Sequence, residues 1–249
     1  MRETEFYVGY FPRAGSALAR FLRGRIAALL ALVAALAVIL ALIAKPLGKG
    51  AFEYGTVREF DGRVIESPYP VLAVARPGSA VPAWSYYLLV GRGKHGAGPV
   101  VQGLDGRDVR LVGSLIHRES STMIEVANHP EPVTPGQLPL DPIAELGQLT
   151  LTGEIVDGKC NLGVMNPGEG ATHRGCAVQC IRGGAPPLLV ARDSGGKDWR
   201  FLLTDAQGRA LGSRILDLVA VPVRVTGRAS RRGDLLFLAV EPSTIERLR

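Results

Sequence analysis

Val109-Arg-Leu-Val-Gly113 returns 114 residues later as Val223-Arg-Val-Thr-Gly227. At the same spacing Arg118 falls on Arg232, Val126 on Val240, and Tyr87-Leu-Leu89 on Phe201-Leu-Leu203. An ungapped match of this length reads as a tandem duplication. Within each copy the apolar residues alternate. Val109, Leu111 and Gly113 share one face, as do Val221, Val223 and Val225, and a period of two is that of a strand. Turn signals at Asp61-Gly62, Asp105-Gly106, Gly195-Gly196 and Gly233-Asp234 bound short strands. About five such strands per copy predict a small closed barrel of the OB type, with a plain β-sandwich as the alternative. Ile215–Val219 predicts a short helix before the last hairpin.

The two copies flank a proline-rich stretch. Pro130, Pro132, Pro135, Pro139 and Pro142 fall within thirteen residues, a density that favours an extended linker over helix or central strand. The boundaries expected are a first OB-like domain at 51–127, a linker at 128–148 and a second OB-like domain at 149–249.

Upstream, Ile26–Ala44 reads IAALLALVAALAVILALIA, without a charge, a polar side chain, Gly or Pro. As a helix of about 1.5 Å per residue it matches one hydrocarbon core. The fold expected is therefore mainly β, with one transmembrane helix followed by two tandem OB-like barrels. Arg2, Arg13, Arg20, Arg23 and Arg25 precede the helix, against Lys45 and Lys49 after it. Positive charge stays cytoplasmic, so residues 1–25 are expected inside and the bulk of the chain outside, in the periplasm of a bacterial inner membrane. The long run, with Leu42 and Lys45 where a cleavage site needs small residues, favours an uncleaved anchor over a signal peptide. Phe6, Tyr7, Tyr10, Phe11 and Phe21 suit the headgroup zone. Of the formal charge of +6, residues 1–45 carry +4. The basicity thus belongs to topology and anionic lipid, and nucleic acid is a poor partner.

All three cysteines lie between positions 160 and 180, in the second copy alone. The strand Leu149–Asp157 is followed by Gly158-Lys159-Cys160 and a Gly/Pro loop. Thr172–Ile181 then predicts a short helix with Thr172 as N-cap and Gly183-Gly184 as stop. On that helix His173, Cys176 and Cys180 form one stripe that Cys160 could meet. Three chemistries fit. A disulfide of Cys160 with Cys176 or Cys180 would pin the loop. A metal site of Cys160, His173, Cys176 and Cys180 would suit zinc or copper(I). A redox thiol could be activated by Lys159 beside Cys160 or by the helix start near Cys176. Arg174 and Arg182 flank the helix and could meet an acidic partner or lipid headgroups.

The stretch Asp157-Gly-Lys-Cys160, Cys176-Ala-Val-Gln-Cys180 and Gly184-Ala-Pro186 resembles a pattern of membrane-anchored, exported bacterial OB-like domains of unassigned function. The resemblance covers about thirty-five residues and brings no activity. The layout is also similar to that of the membrane-tethered OB-fold haem chaperones of cytochrome c maturation. Their haem-attaching histidine has no matching motif here, so haem delivery is an analogy.

Gly91-Arg-Gly93-Lys-His-Gly96 matches the dinucleotide fingerprint, but Ala97, Gly98 and Pro99 follow where a helix should start, so a hairpin loop is expected. His95, His117 and His129 are scattered, and Trp84-Ser-Tyr86-Tyr87 reads as packing. No catalytic carboxylate pair stands out. The expected function is a binding, scaffold or assembly subunit of an inner-membrane complex, possibly a redox one, held close to a membrane-protein partner by its anchor, rather than an enzyme. The alternative is a membrane-tethered thiol-redox or metal-transfer protein working through the Cys/His loop.

Overall fold

The computed structural model describes residues 15–43, 50–78, 82–134, 136 and 138–248. The chain divides into two units, Met1–Pro46 and Leu47–Arg249.

In the first unit α1 spans Ser16–Ile43. Its stretch Leu18–Ile43 is long and apolar enough to cross a membrane, a test that a signal sequence near the N-terminus also passes. The helix starts ten residues before the apolar run, because Leu18, Ala19, Phe21 and Leu22 continue the helix-forming composition. Arg20, Arg23 and Arg25 therefore ride on the helix. The Arg25 guanidinium lies 5.1 Å from the centre of the Phe21 ring, the posture of a long basic side chain with an apolar stem. Arg2, Phe6, Tyr7, Tyr10, Phe11, Arg13, Ala44, Lys45 and Lys49, on which orientation was argued, lie outside the described residues.

The second unit is mainly β. Its strands are β1 (Gly50–Phe52), β2 (Arg58–Ile65), β3 (Val71–Ala75), β4 (Trp84–Val90), β5 (Asp108–Arg118), β6 (Ser121–Val126), β7 (Glu131–Pro132), β8 (Ile143–Asp157), β9 (Pro187–Arg192), β10 (Asp198–Asp205), β11 (Pro222–Arg232), β12 (Leu235–Val240) and β13 (Glu246–Arg247). Short helices α2 (Gly98–Val101) and α3 (Arg174–Arg182) interrupt them. In the first sheet β2 pairs β3, β3 pairs β4, β4 runs parallel to β6, β6 pairs β5, and β5 returns to β2, closing a five-stranded barrel. In the second sheet the pairings run β8-β9-β10-β12, with β11 against both β12 and β8.

The registers repeat. Leu88 faces Met123 across the parallel pair of the first sheet, and Leu202 faces Phe237 in the second. Gly113 faces Val126, and Gly227 faces Val240. Each residue of the second set stands 114 positions after its counterpart in the first. The glycines have one physical cause. A Cβ on Gly113 would strike the Ile124 side chain and the Glu125 carbonyl, and one on Gly227 would strike the Ala239 carbonyl and the Val240 side chain. Gly62 and Gly153 are a further pair, each opposite the matching valine, Val109 or Val223. A Cβ at either would run into a carbonyl of the neighbouring strand, Ala73 or Val190. This corrects the reading of Asp61-Gly62 as a turn: it lies inside β2, and its glycine serves close strand approach. Asp105-Gly106, Gly195-Gly196 and Gly233-Asp234 do turn, with Gly106, Gly196 and Gly233 at positive φ.

The described residues of the proline-rich stretch pack on the first barrel. Arg63 donates to the carbonyls of Gly136 (2.8 Å) and Leu138 (3.0 Å), and Trp84 Nε1 to that of Pro139 (2.9 Å). Strand β8 begins at Ile143, directly after the last proline, so the second sheet starts six residues before the boundary expected at 149. The short helix expected at Ile215–Val219 is a 3-10 turn at Gly212–Leu218.

Among the described residues, three apolar clusters fill the unit. One is centred on Leu72, Leu89 and Leu111 and fills the first barrel. Another is built on Leu189, Leu203, Val223 and Val225 of the second sheet. The third joins the two sheets: Val71, Trp84, Tyr86 and Met123 meet Val156, Cys160, Leu162, Cys180 and Leu188. Two of the three cysteines thus sit in the seam.

Carboxylates held by arginines set an acid limit. Arg63 forks onto Asp108 (3.0 and 2.9 Å) and lowers its pKa. Asp205 accepts from the backbone N–H of Arg209 and from the Arg214 and Arg209 side chains, which brings it down to about 2. A depressed carboxylate stabilises the fold above its unfolded value near 3.8 and loses that contribution as pH falls through the folded value. The melting temperature is expected to hold above pH 5 and drop between about pH 4 and pH 2. Asp205→Asn should flatten that drop in a thermal scan, and an unchanged slope would refute the assignment.

Candidate functional site

The Cys/His segment is inserted between the first two strands of the second sheet. In the first barrel β2 and β3 are joined by Glu66–Pro70; in the second sheet Gly158–Pro186 lies between β8 and β9. At the end of β8 the fully buried Asp157 turns the chain. Its Oδ1 accepts from the Cys160 backbone N–H at 2.8 Å, which explains the Asp-x-x-Cys spacing as a capped turn. Cys160–Val164 then forms one helical turn.

Helix α3 starts at Arg174, with its cap one residue later than the sequence suggested. His173 occupies the cap position, and its N–H bonds the Gly170 carbonyl. Thr172 caps nothing and is exposed. At the other end Gly183 donates to Gln179 and Ala185 to Cys180, with Gly184 at φ 98°, so Gly183-Gly184 is the stop.

The three thiols converge. Their Sγ atoms all lie within 4.8 Å of one another, with Cys160 and Cys176 at 4.0 Å. Cys160 and Cys180 are buried and Cys176 is half-buried at the edge. A disulfide needs sulfurs about 2.05 Å apart, and all three thiols are free, which overturns the expected bridge. The stripe on α3 aims two sulfurs at a third instead of pairing one with it.

His173 is buried too, and it does not join the three sulfurs as one four-donor set. Its Nε2 lies 3.0 Å from Asp157 Oδ2, and its donor atom groups with Cys160 and Asp157. The Asp157 hydrogen bond is the main cause of a raised imidazole pKa. Among the thiols Cys180 is the one pushed down, chiefly by the hydrogen bond from Cys160. Cys160 is pushed up, first by that same bond and then by burial, and Cys176 by burial and the Cys180 charge. The helix start therefore does not activate Cys176; desolvation and the neighbouring Cys180 raise its pKa.

Lys159 does something other than activate Cys160. It is buried, and its Nζ donates to the carbonyls of Gly91 and Gly93, both at 2.7 Å, and pairs with Glu125 Oε2. The Gly91–Gly96 loop is thus a lysine clasp. Val90 and Gly96 bridge across it, as in a hairpin, yet a one-turn helix, α2, does follow, with Pro99 in its first turn. The loop also touches the end of α3. Gly96 N–H bonds the Gly183 carbonyl at 2.8 Å, and a Cβ on Gly183 would collide with the Lys94 carbonyl. Lys94 is the charge that favours the thiolate forms of Cys176 and Cys180. Sequence reading missed Lys94 and Glu125. The signal lay in the glycine spacing of that loop, which allows two carbonyls to approach one ammonium.

Arg174 donates to the Asp217 carbonyl at 3.1 Å, and Arg182 is exposed. His95 and His129 are exposed, and His117 Nε2 lies 3.4 Å from Glu53. Trp84 and Tyr86 are buried in the seam. The chain matches no protein-family model and no curated protein.

Proposed function

We propose that this chain is a membrane-anchored metal-transfer or metal-dependent assembly protein, holding a soft ion on Cys160, Cys176 and Cys180. The carrying observation is the meeting of three unbridged thiols, from two elements, within 4.8 Å. Thiolates select zinc or copper(I) over hard cations. A purely structural role for the cysteines would call for a bridge or for inert isolated thiols, so the metal reading now stands ahead of the plain scaffold.

In this reading α1 is an uncleaved inner-membrane anchor, N-terminus inside, and the β unit works outside the cytoplasm beside a membrane-protein partner. The repeated registers support two tandem OB-like barrels from one duplicated unit, the second specialised by the inserted segment. The likeness to exported OB-like domains fits this architecture. Thiol-redox chemistry is the second reading, favoured by Cys180, whose pKa the hydrogen bond from Cys160 lowers, beside two further thiols.

The test is metal analysis of the full chain, purified anaerobically in detergent, with thiol titration before and after reductant. About one soft ion per chain, lost in Cys176→Ser, supports the proposal. A metal-free chain whose thiols cycle with oxidant and reductant supports the redox reading. A metal-free chain with inert thiols returns the scaffold.

A further inference from the structure

We infer that the ion is monovalent copper, held by the three sulfurs alone, an inference that rests on the metal reading just given. The donor set comes first. Cys160, Cys176 and Cys180 form one group, and no imidazole or carboxylate belongs to it among the described residues. His173 is the nearest alternative, but its donor atom groups with Cys160 and Asp157 and not with all three sulfurs within 4.8 Å, and its Nε2 is bonded to Asp157 Oδ2. The pair positions the Cys160 turn and adds no fourth donor to the thiols.

Spacing comes second. The Cys160 and Cys176 sulfurs are 4.0 Å apart and all three lie within 4.8 Å of one another, close enough for one ion at a metal–thiolate distance of about 2.3 Å to be reached by all three after small shifts. An ion in the plane of the three sulfurs needs no further ligand.

The surroundings come third. Cys160 and Cys180 belong to an apolar cluster with Met123, Val156, Leu162, Ala185 and Leu188. Such walls face two of the three sulfurs with apolar groups and add no nitrogen or oxygen donor side chain of their own. Zinc in proteins takes four ligands almost always. Copper(I) is soft and accepts three thiolates. The half-buried edge at Cys176 is where an incoming thiol of another protein would reach the ion, which makes the ion cargo.

The experiment loads the reduced full chain, anaerobically in detergent, with copper(I) from a chelator and separately with zinc(II), then records X-ray absorption. The expected result is one copper per chain with a first shell of three sulfurs and no nitrogen, and copper(I) displacing zinc. His173→Asn should keep the three-sulfur shell, and Cys176→Ser should lose it. Circular dichroism of each metal-free variant checks folding. If Cys160→Ser or Cys180→Ser unfolds, the edge variant Cys176→Ser still decides. A nitrogen in the shell that vanishes in His173→Asn, or zinc holding the site against copper(I), overturns this inference and leaves the metal reading standing. Failure of both ions to bind overturns both.

Discussion

Lys159→Met is expected to destabilise the β unit by about 3–5 kcal/mol, the largest effect of any single substitution near the site. Lys159 is 2% exposed, and its ammonium has three partners: two loop carbonyls and the Glu125 carboxylate. Methionine matches the stem and deletes the charge. Glu125, mostly buried in its own right, is left facing apolar surface without its cation, and the Gly91 and Gly93 carbonyls lose their donor. Removing one partner of a buried pair costs far more than the pair contributes against an apolar replacement of both. Glu125→Gln should therefore cost less, about 1–2 kcal/mol, because its amide oxygen still accepts from Nζ. Denaturant melts of the three proteins check the ordering. A Lys159→Met chain that melts with the wild type would sink the clasp, and with it the idea that the first barrel's loop holds the inserted segment.

This clasp marks how far the sequence was legible. Strands announced themselves through alternation, as in Val223 and Val225, since one face of each is buried. The apolar helix was plain from composition. The offset of 114 was visible because strand registers leave no freedom to slip: a one-residue shift would turn every valine outward. What stayed hidden depends on contacts distant in sequence. Asp61-Gly62 has turn composition, yet the glycine answers to the Ala73 carbonyl of a neighbouring strand. Lys159 looked like a thiol activator because it is adjacent in sequence, but its side chain points to residues nearly seventy positions earlier. Lys94, far off in sequence, takes that electrostatic part. Convergence of the cysteines was foreseeable from the stripe on α3. Whether they would be bridged or free was not, because that turns on sulfur separations of a few ångströms. The imidazole was counted as a fourth ligand on helical spacing alone, which does not show that its donor atom fails to group with all three sulfurs.

The second large effect is expected at Asp157. Asp157→Asn keeps the size of the side chain and can keep an acceptor for the Cys160 N–H, but it removes the charge beneath His173. With the carboxylate gone, burial, the largest remaining influence, and the Lys94 charge favour the neutral imidazole, against the smaller opposing pull of Cys180. The His173 pKa, raised in the wild type, should then fall below the ordinary histidine value near 6.5. The raised value means that the pair contributes stability fully below about pH 6.5 and loses it as pH climbs through the folded value; in Asp157→Asn this contribution should vanish. The stability loss, about 1.5–3 kcal/mol at neutral pH or below, should be smaller than for Lys159→Met, because a histidine escapes an unfavourable charge by releasing a proton more cheaply than a carboxylate stranded without its lysine. The metal should feel the change as well. A loosened Cys160 turn moves one sulfur of three, and loss of a supporting partner of this kind typically lowers affinity 10- to 100-fold. Nuclear magnetic resonance titration of the histidine rings reads the first effect, and competition for copper(I) with a chelator reads the second. An Asp157→Asn chain with an unmoved His173 titration would show that the Asp157 carboxylate is not what holds the imidazole. An affinity unchanged while that titration falls would show that the three sulfurs are positioned without it.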